Sequence, residues 1–306
     1  MIYQRTVSQS VGCKGVGLHT GDEIHLTIHP APADSGIVFM RSDMPNAKPL
    51  KASLENVVST SFSTTLGHGE FTVGVVEHLL SALCGMGIDN AIVELDGDEV
   101  PIMDGSAEAF VELLRVAGNR EQGKPRRYMV IRKTIEVCDG DKKITIHPSR
   151  EFRISCAIDY DHQAIGNQAI RFNFSGDFYE SEIAKARTFG FLNQIHTMKA
   201  NGFAAGGALD NAVVVGTRKV LNSDGLRFPD EFVRHKALDT IGDLYLLGMP
   251  VIGHLITRKA GHTLNNRFNH KIVDNPKKWK IVEFGETRQE AVTPGFCVVP
   301  STVKAR

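Results

Sequence analysis

Three short stretches set ionisable side chains off the apolar face of their own segments: Glu77-His78, His235-Lys236-Ala237-Leu238-Asp239, and Gly261-His262. Folding alone would not ask for charge at those positions. Together they offer two imidazoles and a carboxylate for a zinc ion, a second carboxylate to act as base, and a third imidazole to act as acid. Those are the parts of a zinc hydrolase.

Each stretch sits on an element that the local pattern predicts. In residues 229–248, Pro229 and two acids open a helix, Gly248 closes it, and Pro250 prevents its resumption. Val233, Ala237, Leu238, Ile241, Leu244 and Tyr245 recur at the helical period and form its apolar face. His235, Asp239 and Asp243 follow at i, i+4 and i+8 on the opposite stripe, with Gly242 beside them to admit a close neighbour. An i, i+4 His/Asp pair can share one metal ion; it can equally be a solvated pair worth a few tenths of a kcal/mol. In residues 72–85 the apolar face is Val73, Val76, Leu79, Leu80 and Leu83, and Glu77 and His78 lie off it in the first turns. There the helix dipole favours a carboxylate and keeps an imidazole neutral, as a ligand must be. The plain alternative is a capping acid beside an exposed histidine. His262 follows an expected strand at 251–257, on a loop where function often sits, although a turn residue would look the same. His19, in Gly15-Val16-Gly17-Leu18-His19-Thr20-Gly21, is a second loop histidine of this kind. His25, His29, His147 and His254 fall on or at the ends of strands and read as structural, and Met103-Asp104-Gly105-Ser106 reads as the N-cap of a helix over 107–117.

The elements around these residues form two related halves. Leu26-Thr27-Ile28-His29-Pro30 is echoed by Ile144-Thr145-Ile146-His147-Pro148. A helix ending at Gly85-Met86 leads to a strand over 88–95, and a longer one ending at Gly248-Met249 leads to the strand over 251–257. The pattern predicts a duplicated α+β unit. The polar run 118–127 is the expected linker, which divides the chain into 1–124 and 125–306, with an inserted element around 189–207 in the second part. Lysine plus arginine equals aspartate plus glutamate, 35 against 35, so no long-range field recruits nucleic acid or an anionic bilayer. The five cysteines are scattered and form no C-x-x-C pair, which argues against thiolate zinc and fits a reducing cytoplasm. No apolar run is long enough to span a membrane, and the first residues lack a secretory h-region.

In this order, Gly15–Gly21, Val76-Glu77-His78, Pro101-Ile102-Met103-Asp104-Gly105-Ser106, Ala186-Arg187-Thr188-Phe189-Gly190-Phe191, His235–Asp239 and Lys259-Ala260-Gly261-His262 closely resemble the UDP-3-O-acyl-N-acetylglucosamine deacetylases of lipid A biosynthesis. The resemblance covers almost the whole chain. It implies two similar α+β domains with sheets outside and helices sandwiched between, and an active site at their junction. It implies a zinc ion held by His78, His235 and Asp239, with Glu77 as general base and His262 as general acid. Asp243 would orient His262, Thr188 would assist at the oxyanion, and Lys236 would contact an acylated UDP-amino sugar. The remaining substrate contacts are expected at Tyr160, as a stacking aromatic for uracil, and at His19, Phe189 and Phe191. Residues 189–207, with Ile195, Met198 and Phe203, would wall the route of the fatty chain. A sugar-nucleotide binding protein without catalysis, a zinc amidase for another acylated amine, and iron(II) in place of zinc are the alternatives to weigh.

Overall fold

The computed structural model describes residues 1–284. Two five-stranded sheets share one topology. In the first, Val11–Val16, Glu23–Pro30, Ala91–Leu95, Ile37–Arg41 and Leu50–Lys51 lie side by side in that order. In the second the order is Ile135–Asp139, Lys142–His147, His254–Arg258, Arg153–Asp159 and Asn167–Asn173. In both, the middle strand runs antiparallel to the second and parallel to the fourth. The two sequence echoes fall on the second strand of each sheet, so the likeness between halves is one of register as well as composition. Period-two alternation fixes which face each strand buries: Ile24, Leu26 and Ile28 are inside while His25 faces out.

The inner faces of these sheets need a cover, and the helices supply it from between them. They are α1 (Val76–Gly85), α2 (Glu108–Ala117), the short turn α3 (Gly176–Phe178), α5 (Glu231–Tyr245) and α6 (His262–Val273); a further helix, α4 (Leu192–Ala200), is mostly exposed and lies outside this layer. One core joins Leu79, Leu83 and Phe110 of the first half to Val233, Leu238 and Ile241 of the second. A second core packs Leu264, Phe268 and Ile272 of α6 against Ile144, Ile146 and Leu255. α1 and α5 meet in the middle. A Cβ on Gly242 would lie 2.0 Å from the Glu77 carbonyl oxygen, so only glycine permits this approach. Because they fill a central layer, these two helices are buried nearly all round, and the stripes read as polar faces point at a neighbouring helix rather than at water.

Several elements differ from the sequence expectation. The run 118–127 contains a strand, Asn119–Pro125, paired with Tyr3–Val7; most of its side chains are exposed, and that polarity made it look like a linker. Arg127–Ile131 then enters a second small sheet between Val251–Ile252 and Trp279–Glu283. The strand expected at 251–257 breaks at Gly253, where a Cβ would sit 3.0 Å from Ile131 and Ile146, and its two pieces join different sheets. His262 is the first residue of α6 rather than part of a turn. Each half also carries one addition. Val57–Ser59, Thr65–His68 and Phe71–Val73 make a three-stranded sheet in the first. In the second, Phe189–Phe191 and Val213–Val215 pair in parallel with α4 on the crossover. Among the described residues no helix is long and apolar enough to cross a membrane.

Candidate active site

Where α1, α5 and α6 converge, the structure gathers seven of the side chains singled out in the sequence. His78, His235 and Asp239 are buried, and one ligand atom from each falls within 4.8 Å of the others. Asp239 Oδ1 lies 3.2 Å from His235 Nε2 and 3.6 Å from His78 Nε2. Among the described residues it is buried without a hydrogen-bond partner, and so is His78 Nδ1. A buried carboxylate oxygen facing two imidazoles with no hydrogen bond is costly unless something else occupies the space between them. Atoms ~2.0–2.1 Å from a tetrahedral centre stand ~3.3 Å apart, and the two separations bracket that value. The donor set, two imidazole nitrogens and one carboxylate oxygen, fits zinc.

The surrounding groups prepare each donor. His235 Nδ1 donates to the Ala186 carbonyl at 3.0 Å, which leaves Nε2 with a free lone pair. Burial pushes the His235 pKa down to about 3, so the ring is neutral. Burial would raise the Asp239 pKa, but the Lys236 ammonium beside it outweighs burial and holds the carboxyl well below the usual range. The Lys236 ammonium rests on Asp239 Oδ2 at 2.7 Å, and burial, which opposes its charge, is outweighed by that carboxylate.

On the other side of Asp239 stand Glu77 and His262. Glu77 Oε2 accepts the Thr64 backbone N–H at 3.0 Å, while Oε1 faces His262 Nε2 at 3.7 Å. Burial raises the Glu77 pKa, with His262 and His78 pulling the other way. His262 Nδ1 donates to Asp243 Oδ2 at 2.9 Å. Burial disfavours its charge, but Asp243 and Glu77 prevail and push its pKa up to about 10. Asp243 is itself held on every side. Thr64 Oγ1 donates to Oδ1 at 2.6 Å, Asn265 Nδ2 to Oδ2 at 2.7 Å, and Asn269 Nδ2 to the backbone carbonyl at 2.7 Å. Val75, just before α1, has φ 56°, a conformation a β-branched residue adopts at a cost of order 1–3 kcal/mol.

The other expected contacts group less tightly. Thr188 lies on the loop after Ala186, its backbone tied to Gly105 O and Val213 N; its hydroxyl makes no hydrogen bond to the cluster among the described residues. Lys236 Nζ sits 5.3 Å over the Phe189 ring, and Tyr160 packs at 5.8 Å on both Phe189 and Phe191. His19 stands apart from that group. Its loop wraps the buried Glu99 carboxylate, which takes the His19 and Thr20 backbone N–H groups, and a Cβ on Gly17 would lie 2.1 Å from Glu99 Oε1. The His19 ring meets Phe203 edge-on at 5.3 Å, and Phe203 meets the exposed Phe62 at 5.0 Å. Gly206 docks here too, since a Cβ on it would collide with the Gly17 carbonyl. Thr64, Asn265 and Asn269 were not singled out in the sequence. Their types are common in loops and helix faces, and nothing in local spacing ties them to Asp243, 179 residues from Thr64.

A family model described as UDP-3-O-acyl N-acetylglycosamine deacetylase matches residues 4–274. A UDP-3-O-acyl-N-acetylglucosamine deacetylase of Myxococcus xanthus is 50% identical over 293 residues, 96% of this chain and 93% of that one. Proteins of the same name from Acidithiobacillus ferrooxidans and Citrifermentans bemidjiense are 47% and 48% identical, covering 94% and 93% of this chain and 95% and 93% of theirs.

Proposed function

The chain belongs to the UDP-3-O-acyl N-acetylglycosamine deacetylase family, and on that premise we propose how its own residues carry out the reaction. It is a deacetylase that hydrolyses the N-acetyl amide of UDP-3-O-acyl-N-acetylglucosamine in lipid A biosynthesis, releasing acetate and a free amine. The observation that carries the assignment of roles is the unpaired Asp239 Oδ1 facing two imidazoles, with Glu77 and His262 beside it.

His78, His235 and Asp239 would hold one zinc ion per chain. When bound there, zinc supplies Lewis acidity, which makes water a competent nucleophile near neutral pH and withdraws charge from a developing oxyanion. Glu77 accepts the proton of the attacking water through Oε1, the oxygen left open by Thr64; a pKa raised by burial makes it a stronger base than an ordinary carboxylate. His262 enters protonated and delivers the proton on Nε2 to the leaving nitrogen. Asp243 keeps that proton in place from the far side of the ring. The 3.7 Å between Glu77 Oε1 and His262 Nε2 sets base and acid on one reacting centre. Thr188 would donate to the oxyanion.

Lys236, Phe189, Phe191 and Tyr160 form one surface for the sugar nucleotide, Lys236 meeting phosphate and Tyr160 stacking on uracil. His19, Phe203 and the half-buried Ile195 and Met198 would line the acyl route. The same reading divides the chain into 1–124 and 125–306 and places it in the cytoplasm, with a small-molecule substrate and no nucleic-acid partner. Acetate release from the acylated UDP-sugar, measured with metal content on one preparation, tests it. One zinc per chain with no release from this substrate, but release from a simple N-acetyl sugar, would move the activity to another acylated amine.

A further inference from the structure

A second cavity of about 330 Å³ opens between the halves at the C-terminal ends of α1 and α5, and none of the residues lining it belongs to the catalytic cluster. Its apolar walls are Met86, Phe152, Phe174, Leu244, Met249 and Ile252. Its charged lining is two arginines together with the carboxylates of Glu151, Asp177 and Glu180. Arg126 and Arg5 both line it, and they converge on Gly87, whose φ of +70° keeps that position to glycine. A Cβ on Gly87 would lie 3.6 and 3.8 Å from the terminal nitrogens of Arg126 and 4.0 Å from Nη1 of Arg5. Bare backbone there leaves a cradle beside two guanidinium groups. The carboxylate of Asp89 answers both arginines from one side, accepting Arg126 Nε at 2.8 Å and the Arg5 backbone N–H at 2.9 Å. Arg5 Nη2 is turned to the surface, toward Glu121 at 3.2 Å. The Tyr128 hydroxyl completes this cradle. The residue is 5% exposed, it lines the cavity, and its buried hydroxyl lies beside the Arg126 guanidinium.

A concave, mostly apolar space with a few convergent polar groups is the form of a small-molecule site. Paired guanidinium nitrogens and a phenolic donor select a carboxylate. We propose that this cavity binds an amphiphilic carboxylate of medium chain length, its head on the Arg5–Arg126 cradle and the Tyr128 hydroxyl and its chain against Phe152, Phe174 and Met249. Such a ligand would touch the far ends of the two helices that carry Glu77, His78, His235 and Asp239.

Decanoate titrated into the full chain is the direct test, with decanol and acetate as probes lacking the charge and the chain. Decanoate should bind more tightly than either. Tyr128→Phe and Arg5→Gln should each weaken decanoate about tenfold, the worth of a hydrogen bond to a charged group, with decanol unaffected by Arg5→Gln and acetate release unchanged in Tyr128→Phe. A photoreactive diazirine analogue of decanoate should label Phe152, Phe174 or Met249. Labelling confined to Phe62, Phe191 and Phe203 would place the probe in the substrate's acyl route and overturn the proposal, as would equal decanoate affinity in both variants and the unaltered protein.

Discussion

The helices that follow the two central strands, α2 and α6, hold corresponding places in the two halves and begin in different ways. At the start of α2, Asp104 Oδ1 accepts from the backbone and hydroxyl of Ser106, and Ser106 Oγ accepts the Glu108 N–H at 3.1 Å. Arg227 reaches the same turn from the second half, pairing with Asp104 Oδ2 at 2.8 Å. Neither N-cap residue, Ala107 or Gly261, makes a side-chain cap among the described residues; the first residue of α6 is His262, turned onto Asp243 of α5. A helix N-terminus disfavours a cation, so the charge on His262 is owed to Asp243 and Glu77 rather than to its own helix. The scaffold is repeated and both starts take a partner from across the chain; the chemistry lies at the one whose first residue is an imidazole held by Asp243.

The contrast can be broken most severely at the metal. Asp239→Ala removes the one carboxylate donor, contributed by the second half, and should take zinc content from one per chain to none and acetate release to background. Retention of zinc by the two histidines alone would show that the halves contribute unequally to the site. Glu77→Ala, in the first half, should keep zinc and lower kcat by on the order of 10²–10⁴; loss of zinc would make Glu77 a ligand instead of a base.

At α6 the effect is read in pH. Deacetylation should fall on the alkaline side as His262 loses its proton, and Asp243→Asn should move that limb to lower pH. The stability term has a matching sign. The folded pKa of about 10 stands above the unfolded value near 6.5, so the contribution is complete below about 6.5 and is lost as pH rises through about 10. A urea midpoint that did not fall over that interval would deny the His262–Asp243 pairing its energetic weight.

The additions to the two halves offer a smaller test. Ile195→Ala and Met198→Ala, in the second, should weaken long-chain substrate by roughly 0.8 kcal/mol for each methylene that loses burial and leave the des-acyl sugar nucleotide alone. Equal losses in kcat/KM on both substrates would assign α4 to the fold. Smallest of all, Ser106→Ala should cost about 1 kcal/mol in urea unfolding through the lost hydrogen bonds of its hydroxyl to Asp104 and Glu108, with kcat unchanged. A tenfold drop in kcat there would mean that the start of α2 is no longer the inert member of the pair.

Local pattern was enough to place much of this molecule. The strands over Ile24–Ile28 and Ile144–Ile146, the helices α1, α2 and α5, the repeat, and the close approach at Gly242 were legible because alternation, helical period, proline and glycine all act over a few residues; the N-cap expected at 103–106 falls instead on Ala107, without a side-chain cap. The His235–Asp239 pair was visible for the same reason, being one helical turn apart. Which stripe of α1 and α5 meets water was not legible, since period shows only that two faces differ, and here the polar face is buried against another helix. Nor was the start of α6, where His262 takes its partner from α5 rather than from its own turn. The unpaired oxygen of Asp239, the raised pKa of His262 and the parts played by Thr64 and Asn265 depend on groups far apart in the chain. Burial and Coulomb interactions act through space, and only the packing of the two halves set those distances.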